Sequence, residues 1–348
     1  MKRVQKLATP PVFISFSAVG GYEEAEGPLG KKFDLCDPSD TFGQKTWEMS
    51  EAEMGRLAMN IALTKASLSH TDLDIVIAGD LQNQCVASSS GISSFGVPFI
   101  GVYGACSTCT EALLLASSLC QSFKDAKILT LTTSHNSAAE RQFRTPLEYG
   151  GQRTPSAQWT STAAGSFILT NRYSDISALD KKSFAAISEV MPGRIIDGAT
   201  PDSTNMGAAM AFAAADSIIS FFNFSDNKVS DFDLIVTGDL GTVGSDILLS
   251  ILEEKLPLAV PRHADCGKLL YDIKNSDVHA GASGCGTSAS VLASHLLPLV
   301  ESGDIKRLLF LSTGALMSPS SVLQGNNILG IAPAIKIENI NSFDWRYK

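Results

Sequence analysis

The chain has few charged side chains and few aromatic rings for its length. Charged residues make up 18% and aromatic residues 7% of its 348 residues, whereas hydrophobic residues make up 44%. Basic residues are the minority charge, because 27 Lys and Arg face 36 Asp and Glu, for a net charge of −9. This balance argues against a nucleic-acid-binding surface and does not favour an anionic membrane surface. The hydrophobic content is sufficient for a substantial core.

The sequence also lacks a segment with the composition of a signal peptide or a membrane span. Residues 1–11 have no apolar core of the kind that a signal peptide needs. Residues 81–110 carry no charge, but Ser, Gly, Gln and Asn interrupt this stretch. We therefore predict that the stretch is buried within protein and does not cross a membrane.

Patterns that hold metals or disulfides are missing as well. The seven cysteines are odd in number and irregular in spacing. Cys106 and Cys109 have the spacing of a redox or zinc pair, but no second such pair and no nearby histidine follow them. We predict no metal site, and thiols that pack as small hydrophobic groups in a reducing compartment.

What the sequence does contain is an internal repeat. Residues 104–119 and 281–296 are identical at 8 of 16 positions, at a shift of 177. Residues 72–81 resemble residues 231–240, and residues 128–134 resemble residues 308–314. Each of these short apolar runs is typical of a buried parallel strand. The repeat predicts an α/β fold made of two duplicated halves, residues 1–175 and 176–348, with helices layered around largely parallel strands.

Cys106 lies at the most informative position of this repeat, where the second copy has Ser283. It follows the strand-like residues 97–103 and precedes an apolar helix predicted over residues 110–123. Gly104 and Ala105 allow a sharp turn. A helix start favours an anion, so a thiol there is expected to ionise more readily and to suit acyl transfer. The alternative is that Cys106 only packs at a tight join between strand and helix.

The turn Gly104-Ala-Cys-Ser-Thr108 resembles the nucleophile turn of the thiolase and ketoacyl-synthase superfamily. The two related halves resemble its five-layered αβαβα fold. This resemblance implies that Cys106 occupies the nucleophile position. It also implies a homodimer with residues 97–103 at the partner contact.

A narrower resemblance rests on motifs spread over most of the chain. They resemble those of the stage V sporulation protein AD family and lie at residues 27–30, 44–48, 78–81, 134–136, 140–144, 148–152, 265–267 and 314–319. The resemblance implies binding of dipicolinic acid (pyridine-2,6-dicarboxylate) during its uptake into developing spores, with other SpoVA membrane proteins as partners. It implies a location at the periphery of the spore inner membrane, reached through those partners, and no cofactor.

The partners that a condensing enzyme of this superfamily needs are missing from the sequence. The resemblance places a histidine just after the first strand of the second copy, where residues 235–240 contain none. It places an asparagine before a Thr-Ser-Ala run, where this chain has Gly286. We therefore expect an enzyme fold whose pocket is kept and whose chemistry is lost. The alternative is an active acyltransferase that uses Cys106, and a third hypothesis is a scaffold that only docks other proteins.

A ligand with two carboxylates on a flat ring needs guanidinium groups, a helix start and an apolar wall. The residues following the second strand of the first half supply such groups, including Arg153. His135 could instead be hydrogen-bonded within its loop, and the arginines could form ion pairs. The predicted ligand-binding residues are Cys106, Ser107, His135, Asn136, Arg141, Arg144 and Gln152.

Overall fold

The computed structural model describes residues 3–123, 125–143, 153–179 and 181–341, and strands alternate with helices throughout. The strands of the first part are β1 (Gln5–Lys6), β2 (Val12–Gly20), β3 (Leu35–Cys36), β4 (Ile75–Gly79), β5 (Phe99–Gly101), β6 (Lys127–Ser134), β7 (Trp159–Thr160) and β8 (Ala163–Thr170). Its helices are α1 (Tyr22–Glu26), α2 (Trp47–Lys65), α3 (Val86–Ile92), α4 (Thr108–Ser122), α5 (Asn136–Phe143) and α6 (Tyr173–Ala178).

The second part repeats this alternation. Its strands are β9 (Ser183–Met191), β10 (Ile196–Asp197), β11 (Leu234–Thr237), β12 (His263–Asp265), β13 (Ala282–Ser283), β14 (Arg307–Leu311), β15 (Gly314–Leu316), β16 (Leu329–Ile331) and β17 (Ala334–Asn341). Its helices are α7 (Met206–Phe224), α8 (Gly241–Lys255), α9 (Cys266–Leu269), α10 (Cys285–Val291), α11 (Leu297–Ser302) and α12 (Pro319–Leu323). A π-helical turn, Leu292–Leu296, joins α10 to α11.

The main sheet shows the duplication directly. Its order is β12-β11-β14-β17-β9 in one half and β5-β4-β6-β8-β2 in the other. One strand of each half is parallel to both of its neighbours: β11 pairs with β12 and β14, and β4 pairs with β5 and β6. The last strand of each half is antiparallel to both of its neighbours: β17 pairs with β14 and β9, and β8 pairs with β6 and β2. The halves meet where β2 and β9 pair at Val12 and Ala186. The predicted duplication is therefore visible in topology, whereas the boundary at residue 175 stays a prediction.

Alternating side chains of these strands face two different cores. Ile77 in β4 and Val236 in β11 belong to the central core, which also contains α4 and α10. Their neighbours Val76 and Ile235 face outward, toward α2 in one half and α7 in the other. Successive strand residues point to opposite faces. Each half of the main sheet is therefore covered by helices on both sides. The order of layers is α2 and α3, sheet, α4 and α10, sheet, α7 and α8.

The two longest helices are α2 and α7. At the start of α2, the Thr46 side chain accepts a hydrogen bond from the Met49 amide. α7 is the one described helix that is long and apolar enough to cross a membrane, and 61% of that apolar stretch is buried within the protein. This burial is typical of a core helix. The predicted strand over residues 97–103 is shorter, since only Phe99–Gly101 form β5.

Candidate functional site

The turn that carries Cys106 has the sharp geometry expected of it. Ala105 adopts a left-handed backbone conformation with φ of 52°. At Gly104, a side chain would collide with the Glu111 carboxyl group, since a Cβ atom there would lie 2.0 Å from Oε1. Thr108 locks the turn, because its Oγ1 accepts from the Gly104 amide at 3.1 Å and donates to the Ala105 carbonyl at 2.6 Å. A side chain at position 104 would displace the Glu111 carboxyl group, and the left-handed conformation at Ala105 favours a small residue.

Cys106 points into an enclosed apolar environment. Its exposed fraction is 6%, and it packs with Leu81, Ala139 and Cys285. These neighbours come from the end of β4 and from α5 and α10, so both halves of the molecule enclose the thiol. Burial, and then the negative charge of Asp239, raise the pKa of the Cys106 thiol well above its usual range.

Asp239 lies just after β11 and is held rigidly beside the thiol. Its Oδ1 accepts a hydrogen bond from Thr313 Oγ1 at 2.8 Å, and its Oδ2 accepts from the Gly284 amide at 2.9 Å. Asp239 is fully buried, and this burial raises the pKa of its carboxyl group to about 7 in spite of these hydrogen bonds. Asp239 therefore opposes ionisation of the Cys106 thiol, whereas the hydrogen bond from that thiol lowers the pKa of the Asp239 carboxyl group.

The expectation that the helix start makes Cys106 a better thiolate is wrong. Backbone amides do lower the pKa of the thiol, but burial and Asp239 outweigh them. The physical reason is that the helix dipole supplies only partial charges, whereas desolvation of a thiolate opposes its full charge. At neutral pH the thiol is protonated.

Ser107 uses its hydroxyl group within the turn. It is fully buried, and its Oγ lies 2.7 Å from the Gly104 carbonyl and 2.7 Å from Glu111 Oε1. Burial raises the pKa of the Glu111 carboxyl group. The side chain of Ser107 therefore stabilises the start of α4. Its role as a ligand-binding residue stays a prediction.

His135 also has a partner on each ring nitrogen. Its Nε2–H donates to the Asp40 carbonyl at 2.8 Å, and its Nδ1 accepts from the Ser137 amide at 3.2 Å. The ring packs on Trp47 with centroids 5.4 Å apart. Burial lowers the pKa of this imidazole, so it is neutral at pH 7. The sequence leaves two roles open for His135, ligand binding and hydrogen bonding within its loop. The contacts of both ring nitrogens agree with the second role.

The remaining predicted residues lie on or beyond α5. Asn136 is half-buried and ties α5 to β7, because its Nδ2 donates to the Thr160 carbonyl at 3.2 Å. The backbone of Arg141 lies near the end of α5. The side chain of Arg141, and all of Arg144 and Gln152, lie outside the described residues. The part of the chain that the structure describes contains no cluster of three His, Cys, Asp or Glu residues placed to hold a metal ion.

The two positions that matter most for condensing chemistry hold unsuitable residues. Asp239 stands just after β11, where the superfamily resemblance places a histidine. At Gly286, a Cβ atom would lie 2.1 Å from the Ala163 carbonyl and 2.6 Å from Ser134 Oγ, so an asparagine does not fit.

Each of the five histidines contacts a group other than the Cys106 thiol. His70 packs on Phe95, and His135 bonds the Asp40 carbonyl. His263, His279 and His295 contact Thr237, Asp277 and Lys32, respectively.

Sequence reasoning missed the buried carboxyl groups at the ends of the matching strands. Asp239 has a counterpart in Asp80, which accepts hydrogen bonds from the Gln82 and Ser88 amides. Nearby, Glu51 accepts from Gln82 Nε2 at 2.7 Å, and burial raises its pKa to about 8. The repeated Gly-Asp dipeptide was the available signal, because two aspartates at equivalent strand ends predict equivalent buried positions.

Comparison with known proteins agrees with this architecture. A family model described as stage V sporulation protein AD matches residues 1–338. The stage V sporulation protein AD of Bacillus subtilis (strain 168) is 38% identical over 329 residues, which cover 94% of each chain.

Solved structures of condensing enzymes share the fold at much lower identity. The 3-oxoacyl-[acyl-carrier-protein] synthase III from Aquifex aeolicus is 15% identical with a TM-score of 0.55, covering 94% of this chain and 99% of that one. A tetronic acid condensing enzyme is also 15% identical, with a TM-score of 0.59 and the same coverage. These likenesses establish a thiolase-like fold. The family model that matches nearly the whole chain and the 38% identical Bacillus subtilis relative show that this protein belongs to the stage V sporulation protein AD family.

Proposed function

We propose that this chain binds dipicolinic acid without chemical turnover, and that it serves the uptake of this ligand into developing spores as part of the SpoVA machinery. Membership of a sporulation family supports the biological setting. The observation that carries the absence of turnover is the Cys106–Asp239 pair. A buried thiol beside a buried carboxyl group keeps its proton, so it is a poor nucleophile.

The losses at the two partner positions support binding without catalysis. Positioned acid–base help is worth about 10²–10⁴-fold in rate. Removal of an oxyanion donor costs about 10²–10³-fold. Asp239 replaces a group that would stabilise negative charge with one that opposes it, and Gly286 has no side chain to donate. A retained fold with a silent nucleophile is what a binding protein derived from an enzyme would show.

The proposed assembly is a homodimer that reaches the spore inner membrane through SpoVA membrane proteins. β5 lies at the edge of the main sheet and leaves its backbone free to pair. Phe99 and Ile100 are each 39% exposed, and the nearby Tyr103 is 49% exposed. Exposed apolar residues on an edge strand favour a partner over solvent. This surface supports a second copy of the chain as that partner.

Titration calorimetry with dipicolinate tests the proposed function. The wild type is expected to bind, and Cys106→Ala is expected to retain most of the affinity, since no bond to sulfur is formed. Benzene-1,3-dicarboxylate, which keeps both carboxylates but lacks the ring nitrogen, is the matched control ligand. Absence of heat at millimolar dipicolinate, with properly folded protein, would remove this proposal and favour a docking scaffold.

An active acyltransferase is the second candidate, and the intact turn at Ala105 and Cys106 favours it. It predicts that an acyl-CoA labels Cys106 stoichiometrically. Intact-protein mass spectrometry detects that label, and Cys106→Ala is the control that cannot carry it. An unmodified mass after incubation with thioesters of short, medium and long chain length would contradict this candidate.

A further inference from the structure

A second group of polar side chains lies beside the short parallel pair of β7 and β13. Register pairs Trp159 with Ala282 and Thr160 with Ser283, so this ribbon joins the two halves. Gln158 fastens it to the Cys106 environment, because its Nε2 donates to the Asp239 carbonyl at 2.8 Å and to the Ala282 carbonyl at 2.7 Å. A ligand group bound at this ribbon would therefore lie near the buried end of β11.

Arg153 places a guanidinium group on this ribbon. Its side chain is only 7% exposed, and its guanidinium carbon lies 4.8 Å from the centroid of the Trp159 ring. This stacking holds the planar group in one orientation. An arginine held by an aromatic ring loses little conformational freedom when it binds an anion. Arg153 is therefore a preorganised anion-binding group.

The hydrogen-bond donors of Arg153 are only partly used. Its Nη2 lies 2.7 Å from Asp277 Oδ2 and also donates to the Asp277 carbonyl. Its Nη1 is buried and has no hydrogen-bond partner in the described part of the chain. A buried charged donor without an acceptor carries the full cost of its lost hydration. An acceptor supplied by a ligand would remove that cost.

The ion-pair partner of Arg153 lies at the protein surface. Asp277 is 83% exposed, so water screens its carboxylate. It is also shared, since His279 Nε2 lies 3.0 Å from Asp277 Oδ1. The Nδ1 of His279 lies 2.7 Å from the carbonyl oxygen of Thr154, the residue that follows Arg153. This contact ties the backbone next to Arg153 to His279. The buried guanidinium is therefore not neutralised at its Nη1 edge.

We infer that Arg153, stacked on Trp159, binds a carboxylate group of the ligand through Nη1. This inference rests on the proposed function and assigns one carboxylate of an aromatic acid to this residue. The bond is a charge-assisted hydrogen bond from N–H to carboxylate oxygen. Trp159 positions the guanidinium, and Asp277 anchors its other edge at the surface.

Calorimetry with dipicolinate on single variants tests this assignment. Arg153→Ala is expected to weaken binding by about tenfold or more, because a charge-assisted hydrogen bond is lost. Trp159→Leu is expected to weaken it less, since the guanidinium remains but is no longer held in place. Asp277→Ala is the matched control: it breaks the same ion pair but leaves Nη1, and it is expected to keep the affinity within about twofold.

The outcomes separate this inference from the proposed function. If the wild type gives no heat, the proposed function fails and the assignment falls with it. If the wild type binds and Arg153→Ala binds equally well, only the assignment is overturned. Equal weakening by Arg153→Ala and Asp277→Ala would also overturn it, because both would then act through the shared ion pair. Where Arg153→Ala does not fold, Arg153→Lys takes its place, and unchanged affinity in that variant contradicts the assignment.

Discussion

Asp239 lies beside the thiol of Cys106 and raises the pKa of that thiol, whereas burial raises the pKa of Asp239 and the hydrogen bond from Cys106 lowers it. The pair joins the two halves of the molecule, since Cys106 begins the turn before α4 and Asp239 follows β11. In an enzyme, the partner of a nucleophilic thiol stabilises the thiolate. Here the partner has the opposite effect. Burial and Asp239 therefore both favour the protonated form of the Cys106 thiol.

Neutralising Asp239 should release part of this suppression. Asp239→Asn removes the charge but keeps a side chain of the same size, so the pKa of Cys106 falls. Alkylation of Cys106 by iodoacetamide at pH 8 is expected to become up to about tenfold faster, since one pKa unit corresponds to tenfold in thiolate population. Peptide mass spectrometry measures the rate at Cys106 separately from the other cysteines.

The matched control for this experiment is Thr313→Val. It removes the hydroxyl group that donates to Asp239 Oδ1 but leaves the carboxyl group in place. Cys106 is expected to stay as unreactive as in the wild type. Equal alkylation rates for Asp239→Asn and wild type would mean that burial alone suppresses the thiol, and the electrostatic role of Asp239 would be lost.

Buried Glu51 should make the stability of the protein depend on pH. Its pKa is raised from 4.5 to about 8 in the folded state, so the folded protein retains a proton that the unfolded chain releases between those values. Stability must therefore fall as pH rises through this window, and it is unaffected by Glu51 below pH 4. Glu51→Gln should therefore lose less stability than the wild type between pH 5 and pH 8.

Urea unfolding at pH 5 and pH 8 measures this difference. Buried His135 and His263 act in the opposite direction, because burial lowers their pKa values, so the comparison must be made between variant and wild type. Glu53→Gln is a control on the same helix, since Glu53 is partly exposed and pairs with Arg56. The same pH dependence in wild type and Glu51→Gln would show that Glu51 is ionised in the folded protein.

Much of this architecture could be predicted from local patterns. The repeated segments predict two equivalent halves, and the small residues at Gly104 and Ala105 predict the turn before α4. These features are local, because strand length, helix start and turn conformation depend on neighbouring residues. Cys106 could be recognised as a candidate site residue because the turn that holds it is one of these local features.

The chemistry of the site was less predictable because it depends on contacts between the halves. Asp239 meets Cys106 across a separation of 133 residues (239 − 106), and the repeated Gly-Asp dipeptide predicts a buried position without predicting which residue the aspartate contacts. His135 directly follows β6, so its sequence position suggests that it faces the site. Its ring nitrogens instead bond to the Asp40 carbonyl and the Ser137 amide. Such partners are set by tertiary packing and leave no periodic pattern.

Gly286 should resist any attempt to restore an oxyanion donor. A Cβ atom at this position would lie 2.1 Å from the Ala163 carbonyl, which is backbone of the central strand β8 and cannot move away. Gly286→Ala is expected to destabilise the protein by about 2–4 kcal/mol, and Gly286→Asn by more. Urea unfolding measures both. A Gly286→Asn variant as stable as the wild type would contradict this steric argument.

The edge strand β5 should control the oligomeric state. Ile100→Glu places a charge in the middle of the proposed partner contact, where desolvation of the carboxylate opposes pairing. The variant is expected to elute as a monomer, whereas the wild type elutes as a dimer, in size-exclusion chromatography with light scattering. Leu323→Glu is the control, because Leu323 is 79% exposed on α12, which lies in sequence between β15 and β16 of the separate three-stranded sheet. A monomeric wild type, or a dimer that survives Ile100→Glu, would remove β5 as the contact between copies.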